Sequence, residues 1–590
     1  MLNKIISVIM SFAMSLTGIF YTSINSVIDS ASEMMFGIPY TVQAVKSDFF
    51  DEISDSDVVS VDEDSGFVDD LVAVFIDGDL GFFDKLSLFG TIGGTLIGWS
   101  APIDLYVVRF SPMTYRQVVA KCKELEAKNG VSLAIPVSTY KTVLNGTPND
   151  VFNDDEELVW DEINPAGSNW WLEAVQARQA WDYSDYFGKI DIGIVDAGFD
   201  LDHPEFEGRI SFPSDRQAGR NYEDIHGCHV AGIIGANRNN NTGIAGLCDN
   251  SELICVDWTP ELLQIWHTEL AIFFGFSDVV KAGAKVVNFS LGTSGSRTDD
   301  SYNFFDNTFS PAALSLMMAS LLSKGYDFVA VQSAGNGDFY TDALDASLNG
   351  HFSGINESNI FTGFYSISKS EILDRIIIVA SADNDGNGNY TQSYYSNVGP
   401  VVDLAAPGDN IYSCSVNGGY TYLSGTSMSA PIVTGIAGLV WSVNPSFSGA
   451  QVAEIVCSST ESIAKINTEE DYYYDVDLYD YPMVNAKLAV EEAIRRTNVN
   501  SGTVSGNIVA ADVAEIVFDG VSHTVFSDGS YSFVADEGSG IATVLDSQGN
   551  EIGSMELNVI AGEETIVPDY SFNETLEETT TQVSSTETVL

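Results

Sequence analysis

Between Ile190 and Val443 the chain repeatedly sets a short, near-continuous apolar run beside a helix-patterned stretch. The runs are Ile190 to Val195, Val286 to Leu291, Phe328 to Val331 and Ile376 to Ala380. A strand with one face in water alternates apolar and polar residues, whereas a strand apolar along its length must be covered on both sides. This feature predicts an α/β fold, a parallel sheet with helices on both faces. In such sheets chemistry collects at the carboxyl ends of the strands.

At 590 residues the chain is too long for one hydrophobic core, so other domains must flank this block. Residues 33–150 begin with an acidic stretch, Asp48 to Asp70. Strands are then predicted at Leu71 to Ile76, Ile103 to Phe110 and Val131 to Val137. Tyr115 to Lys128 is predicted as a helix with Val118, Val119, Cys122 and Leu125 on one face. Together these describe a small α+β domain. A polar acidic linker, Asn145 to Glu157, leads to the sheet region, taken as residues 155–497. Residues 501–572 show short alternating runs with turn signals at Asp528-Gly529 and Gln548-Gly549-Asn550, which predict a small β-sandwich. Residues 573–590, rich in Thr, Ser and Glu, lack the apolar content for a core and read as a disordered tail.

The balance of 25 Lys and Arg against 83 Asp and Glu gives a formal charge of -58, which repels phosphate backbones and argues against a nucleic-acid partner. Residues 1–32 have the pattern of a secretory signal: Lys4, an apolar stretch from Ile5 to Phe20, then small residues. An uncleaved anchor is the competing reading of that stretch. No later segment reaches the roughly 20 consecutive apolar residues of a spanning helix. The expectation is therefore a secreted, extracellular protein with no stable membrane span once the signal is cleaved. The cysteines, Cys122, Cys228, Cys248, Cys255, Cys414 and Cys457, permit disulfides in an oxidising compartment but follow no zinc-ligand spacing.

Three segments fall where the sheet argument wants function. The apolar strand 190–195 runs into Asp196-Ala-Gly198, and a carboxylate at the end of a buried strand needs a partner, such as an imidazole whose tautomer it fixes. His226-Gly-Cys-His-Val-Ala-Gly232 opens a helix of small residues; His226 is the candidate base, and His229 reads as structural. Ser424-Gly-Thr-Ser-Met-Ser-Ala-Pro431 places Ser427 at a helix start, where free N–H groups and the helix dipole favour developing negative charge. Pro431 suits the first turn of that helix. Each segment alone has another reading: a turn-capping Asp, a two-His metal site that no carboxylate or cysteine pattern completes, an N-cap Ser.

Taken together, Val195-Asp-Ala-Gly198, His226-Gly-Cys-His-Val-Ala-Gly232 and Gly425-Thr-Ser-Met-Ser-Ala-Pro431, in the order Asp, His, Ser, resemble the subtilisin-like serine protease (subtilase) family over roughly Trp170 to Ala493. The resemblance implies a serine endopeptidase that acts on extended polypeptides through an acyl-enzyme on Ser427, with a catalytically silent peptide-binding or surface scaffold of the same fold as the competing reading. It needs no cofactor for catalysis. Ser333-Ala-Gly-Asn-Gly337 matches the family's oxyanion segment, making Asn336 a donor beside the Ser427 N–H. Asn288-Phe-Ser-Leu-Gly292 matches the edge strand that pairs with substrate, so Ser290, Leu291 and Gly292 form one wall of the cleft and Ser333, Ala334 and Gly335 the other. Two departures stand out: Ala197 where the family usually has Ser or Thr, and Cys228 where it usually has Thr.

Residues 33–150 then correspond to the family's pro-domain, a folding aid and intramolecular inhibitor removed on maturation. The resemblance also implies a structural calcium site, with Glu205 and Asn240 as ligands. A second acidic loop, Asp383 to Gly388, lacks a closing Glu and is expected to be a hairpin turn.

Overall fold

A computed structural model describes residues 45–571, except 47–49, 51–52, 62–64, 141, 145–146, 149–169, 214–224, 241, 259–266, 294–309, 338–344, 385–388, 466–478, 499, 511–512 and 527–528. The expected signal, the tail and most of the acidic linker lie outside the described residues.

The N-terminal domain is an antiparallel sheet in which β1 (Ser65–Ile76), β2 (Thr95–Ser100), β3 (Leu105–Arg109) and β4 (Val131–Tyr140) lie in the order β2-β3-β1-β4. Helices α1 (Phe82–Ile92) and α2 (Tyr115–Glu126) cover one face. Period-two alternation in β1 decides which residues go where. Val72, Val74 and Ile76 pack with Leu88, Ile92, Val118, Cys122 and Leu125 of the two helices. Leu71, Ala73 and Phe75 face the other way, into the core of the central domain. Helix α1 and strand β2 are additions to the sequence reading; α1 is glycine-flanked, and its start at Gly81 carries no side-chain cap to announce it.

The central sheet carries β5 (Ile190–Asp196), β6 (Ser251–Asp257), β7 (Val286–Phe289), β8 (Val329–Ser333), β9 (Ile376–Asn384) and β10 (Leu404–Pro407). These run parallel in the order β6-β5-β7-β8-β9-β10. Register pairs such as Ile192 with Leu253 and Val331 with Ile377 align the buried positions. On one face, Ile192, Ile194, Val331 and Val379 pack against α3 (His226–Gly235) and α6 (Thr426–Val443). On the other, Val195, Val287, Phe289 and Ala380 pack against α4 (Glu269–Ala282) and α5 (Ser310–Ser323). Both faces are therefore covered, as the apolar runs require.

The parallel order reverses about β5, and that reversal opens the crevice in which the site lies. Helix α6 is long and apolar enough to span a membrane, yet it is buried almost throughout as the core helix of the sheet. Its close seat depends on Gly438, where a Cβ would stand 2.7 Å from Ile192 Cδ1 and 3.0 Å from Cys248 Sγ. Residues 501–571 form two four-stranded sheets around Val504, Phe518, Phe533 and Val544. This module is joined to the central domain: the buried Tyr183 hydroxyl donates to Glu491 at 2.7 Å and accepts the Val534 N–H at 3.0 Å.

Candidate active site

Asp196 is the last residue of β5 and is fully buried. Its Oδ1 accepts the His226 Nδ1–H at 2.7 Å and the Ala197 N–H at 2.7 Å. The loop that follows the strand also seats the helix that carries the histidine. Gly227 N–H donates to Ala197 O at 2.7 Å and Cys228 N–H to Gly198 O at 2.8 Å, so two unpaired donors of the first turn of α3 end on the Asp196 loop. Strand end and helix start are thus locked together through backbone. Gly227 is needed for this approach, because a Cβ there would lie 2.8 Å from Ala197 O.

His229, one turn further along α3, plays a different part. Its Nε2 lies 3.0 Å from Ile411 O and 3.2 Å from Thr421 O, and burial, with His226 as a second cause, pushes its pKa down to about 3. It is a neutral hydrogen-bonded tie between α3 and the Ile411–Ser415 and Gly419–Ser424 strands.

Ser427 is the second residue of α6, and its hydroxyl donates to Ser290 O at 3.1 Å. Pro431 lies five residues beyond the helix start, in the second turn rather than the first. At that place it withholds the N–H that would otherwise reach the carbonyl of Ser427. The carbonyl is satisfied instead by the Ser290 hydroxyl at 2.9 Å, which in turn accepts from Asn288 Nδ2 at 2.9 Å. Thr434 donates to Asn288 Oδ1 at 3.0 Å and closes the chain of contacts between β7 and α6. Proline and polar partner together bind the end of β7 to the first turns of α6.

Asn336 follows β8. Its side-chain oxygen accepts both the Thr426 N–H at 2.9 Å and the Thr426 hydroxyl at 2.8 Å, and the Thr426 hydroxyl oxygen accepts the Gly335 N–H at 3.1 Å. With its oxygen committed to Thr426, the amide group can point only as a donor. Asn397 braces the same segment: its Nδ2 donates to Ala334 O at 3.0 Å, its Oδ1 accepts the Gly337 N–H at 2.9 Å and its own N–H donates to Gly335 O at 2.9 Å. Thr426 and Asn397 were not singled out in the sequence. Thr426 stands beside Ser427, and Asn397 carries no local signal because it is 61 positions from the residue it braces, Asn336.

The strand Leu291–Thr293 is paired antiparallel with Thr142–Leu144, in the register Leu291 with Leu144 and Gly292 with Val143. Leu423 and Ser424, just before α6, pair with Pro148 and Thr147. Leu291 and Gly292 thus lie on a strand that accepts an added strand, supplied here by the same chain, and Ser290 stands between that strand and the end of β7. Ser333, Ala334 and Gly335 are buried beside Thr426.

Glu205 and Asn240 do come together, but the chemistry around them does not suit a cation. Buried Glu205 accepts the Ile244 N–H at 2.7 Å and the Tyr420 hydroxyl at 2.8 Å on Oε1, and the Asn240 amide at 2.9 Å on Oε2. Asn240 Oδ1 is taken by the Thr242 N–H at 2.9 Å. Calcium needs converging oxygen acceptors, whereas hydrogen donors converge here. The Tyr420 phenol is held protonated by burial and then by the Glu205 carboxylate, both of which push its pKa up. In this structure Glu205 stands as a hydrogen-bonded carboxylate with Asn240 as one of its donors. In the second acidic loop, Asp383 and Asn384 pair antiparallel with Thr391 and Tyr390, the flanks of a hairpin.

The cysteines stand as free thiols, with Cys457 partly exposed and the rest buried. Burial pushes Cys228, next to the active-site helix start, up to about 12, so it is not a competing nucleophile.

Comparison with known proteins agrees with this geometry. The family model described as the subtilase family (Peptidase_S8) matches residues 188–490. Thermitase of Thermoactinomyces vulgaris is 32% identical over 285 residues, 48% of this chain and 85% of thermitase. The thermophilic serine proteinase of Bacillus sp. strain AK1 is 24% identical over 409 residues, 68% of this chain and 85% of that protein. Among solved structures, fervidolysin from Fervidobacterium pennivorans, a keratinolytic enzyme related to subtilisin, superposes with a TM-score of 0.51 at 18% identity over 88% of this chain and 80% of its own, a likeness of fold. The chain belongs to the subtilase family and is a subtilisin-like serine endopeptidase.

Proposed function

We propose that this protein is a secreted endopeptidase of extended polypeptides in which Ser427 is the nucleophile, His226 the general base, Asp196 the residue that fixes the imidazole, and Asn336 the oxyanion donor. The observation that carries the reading is the 2.7 Å bond from His226 Nδ1 to buried Asp196, because it leaves Nε2 as the acceptor tautomer a base requires. A change of rotamer takes the Ser427 hydroxyl from the Ser290 carbonyl to that base. Attack on a peptide carbonyl then forms an oxyanion, which meets the Asn336 amide and the Ser427 N–H at the start of α6. An extended substrate pairs along Leu291 and Gly292 as an added strand, as Thr142–Leu144 does with Leu291–Thr293, with Ser290 beside it.

The N-terminal domain serves as the inhibitor of this cleft until it is removed. Its strand face, Leu71, Ala73 and Phe75, shares one core with helices α4 and α5, which supports a hold that outlasts a single backbone cut. The test is a fluorophosphonate probe on the secreted, processed protein: labelling at Ser427, abolished in Ser427→Ala, is expected. A folded protein that neither labels nor hydrolyses peptide would overturn the assignment.

A further inference from the structure

Two helices of the central domain are buried on every side. In α4 each residue from Leu270 to Val280 is buried, and in α5 each from Ala313 to Leu321. At about 3.6 residues per turn, each run exceeds two turns, so no side of either helix faces water. One side packs on the central sheet, and the N-terminal domain covers the other. The rings of Phe50 and Phe274 meet edge to face at 5.7 Å, the buried hydroxyls of Ser100 and Ser277 lie 3.1 Å apart, and the Ser320 hydroxyl donates to Pro102 O at 3.1 Å. Helix α5 carries no charged residue, although 18% of the chain is charged. A helix that meets water in the working protein keeps a polar outer face, and α5 has none.

The N-terminal domain is equally unsuited to stand alone. Leu71 to Ile76 is apolar and buried at every position, so its sheet needs cover on both faces, as the central one does. Its own helices supply one cover, and α4 and α5 supply the other. The central domain also extends that sheet: His267 and Thr268, directly ahead of α4, pair antiparallel with Tyr140 and Thr139 at the end of β4. Each body thus completes the other, in the manner of an obligate interface that resembles a core cut in half.

This union lies away from the catalytic helices. Helices α3 and α6, which carry His226 and Ser427, cover the opposite face of the central sheet, in a core that includes none of the described residues of 45–140. What reaches the crevice is a short continuation of the domain, Thr142–Leu144 on Leu291–Thr293 and Thr147 and Pro148 on Ser424 and Leu423. We propose that the N-terminal domain is a lasting subunit of the working enzyme: once the backbone is cut, these strands leave the crevice and the body of the domain stays on α4 and α5. The inference rests on the inhibitory role proposed above and assigns it to the strands in the crevice. Two short ladders open at far smaller cost than a shared core, so the crevice clears while the core holds.

Processed wild-type enzyme tests this in two portions. One is labelled at Ser427 with the fluorophosphonate probe and separated by size under native conditions; the N-terminal fragment is expected to travel with the labelled chain in equal amounts. The other is assayed for peptidase activity across a dilution series, and activity per molecule should stay level or fall. A labelled chain that remains soluble and monomeric without the fragment overturns the inference, and so does activity that rises as dilution separates the two. In a variant, Ser277→Glu buries an unpaired carboxylate against Ser100 and should release the fragment together with soluble activity. A variant that sheds the fragment and keeps wild-type activity overturns the proposal; where the variant does not fold, the dilution series on wild type decides. A processed protein that neither labels nor cuts peptide fails at the catalytic reading itself, so the two failures are distinct.

Discussion

At the scale of single residues, the site is a set of groups held by partners that do no chemistry. Ser427→Ala should lower turnover by about 10⁶-fold, the size of the same loss in subtilisin. Removing the donor in Asn336→Ala should lower kcat by about 10² to 10³-fold with a smaller change in KM, because the oxyanion exists only after attack. Asn397 touches Ala334, Gly335 and Gly337 around Asn336 and not the reacting atoms. Asn397→Ala should therefore reduce kcat by roughly tenfold and leave KM near the wild-type value, as expected for a donor mispositioned in the transition state. Equal changes in both constants would mean that the whole cleft had shifted. Tyr420 donates to buried Glu205 at 2.8 Å, so Tyr420→Phe should cost about 1.5 to 3 kcal/mol in chemical unfolding. Because donors fill that carboxylate, Glu205→Gln should leave any calcium dependence of the thermal midpoint unchanged.

At the scale of elements, a compact polar hub joins the N-terminal domain to the helices that carry the central sheet. Asp104, 3% exposed, follows a short turn in the N-terminal domain and forms an ion pair with Lys324 just beyond α5. It also accepts the Tyr365 hydroxyl at 2.6 Å and the Ser320 hydroxyl at 3.1 Å. Lys324 donates further to Ala101 O and Pro102 O, each at 2.9 Å, and burial pushes its pKa down. Asp104→Ala would leave that ammonium short of its charge partner, at a cost of about 3 kcal/mol. After processing, the variant should show peptidase activity sooner than wild type in a time course. An unchanged lag would show that the hold lies in the apolar face alone.

At the scale of the whole molecule, the C-terminal module is held by a carboxylate whose protonation belongs to folding. Asp182 accepts the Thr524 N–H at 2.8 Å and its hydroxyl at 2.9 Å, and burial pushes its pKa up to about 6. In an unfolded chain an Asp titrates near pH 4, at about 3.9, so the folded state binds this proton more tightly. Stability from this group is present below about pH 4 and is lost as pH rises to about 6, with no further change above. Asp182→Asn keeps an acceptor for Thr524 and removes the ionisation. The midpoint of wild type minus that of the variant should accordingly fall between pH 4 and 6; a constant difference would mean that Asp182 titrates alike in the folded and unfolded chain.

What was legible in the sequence follows from what is local. Apolar runs such as 190–195 and 286–291 have no stable state except burial on both faces, so they predict the covered parallel sheet without knowledge of its neighbours. Motifs around Asp196, His226 and Ser427 are also local, since each is a strand end or helix start that its own residues specify. Helix α1 was missed because its start at Gly81 carries no capping side chain, although Gly93, left-handed at φ 80°, is a usual stop signal. Pro431 was read as a first-turn residue, but its place in the second turn became meaningful only when Ser290, 137 positions from Ser427, filled the carbonyl it leaves open. The calcium expectation turned on the same issue. Glu205 and Asn240 are suitable ligands by residue type, and only the approach of Tyr420, 215 positions away, and of the Ile244 N–H turns the site into one of hydrogen donors. Strand burial and motif chemistry are properties of the chain. Which donor meets which acceptor is decided by long-range registers and packing, whose contact energies exist only once the ladders are formed.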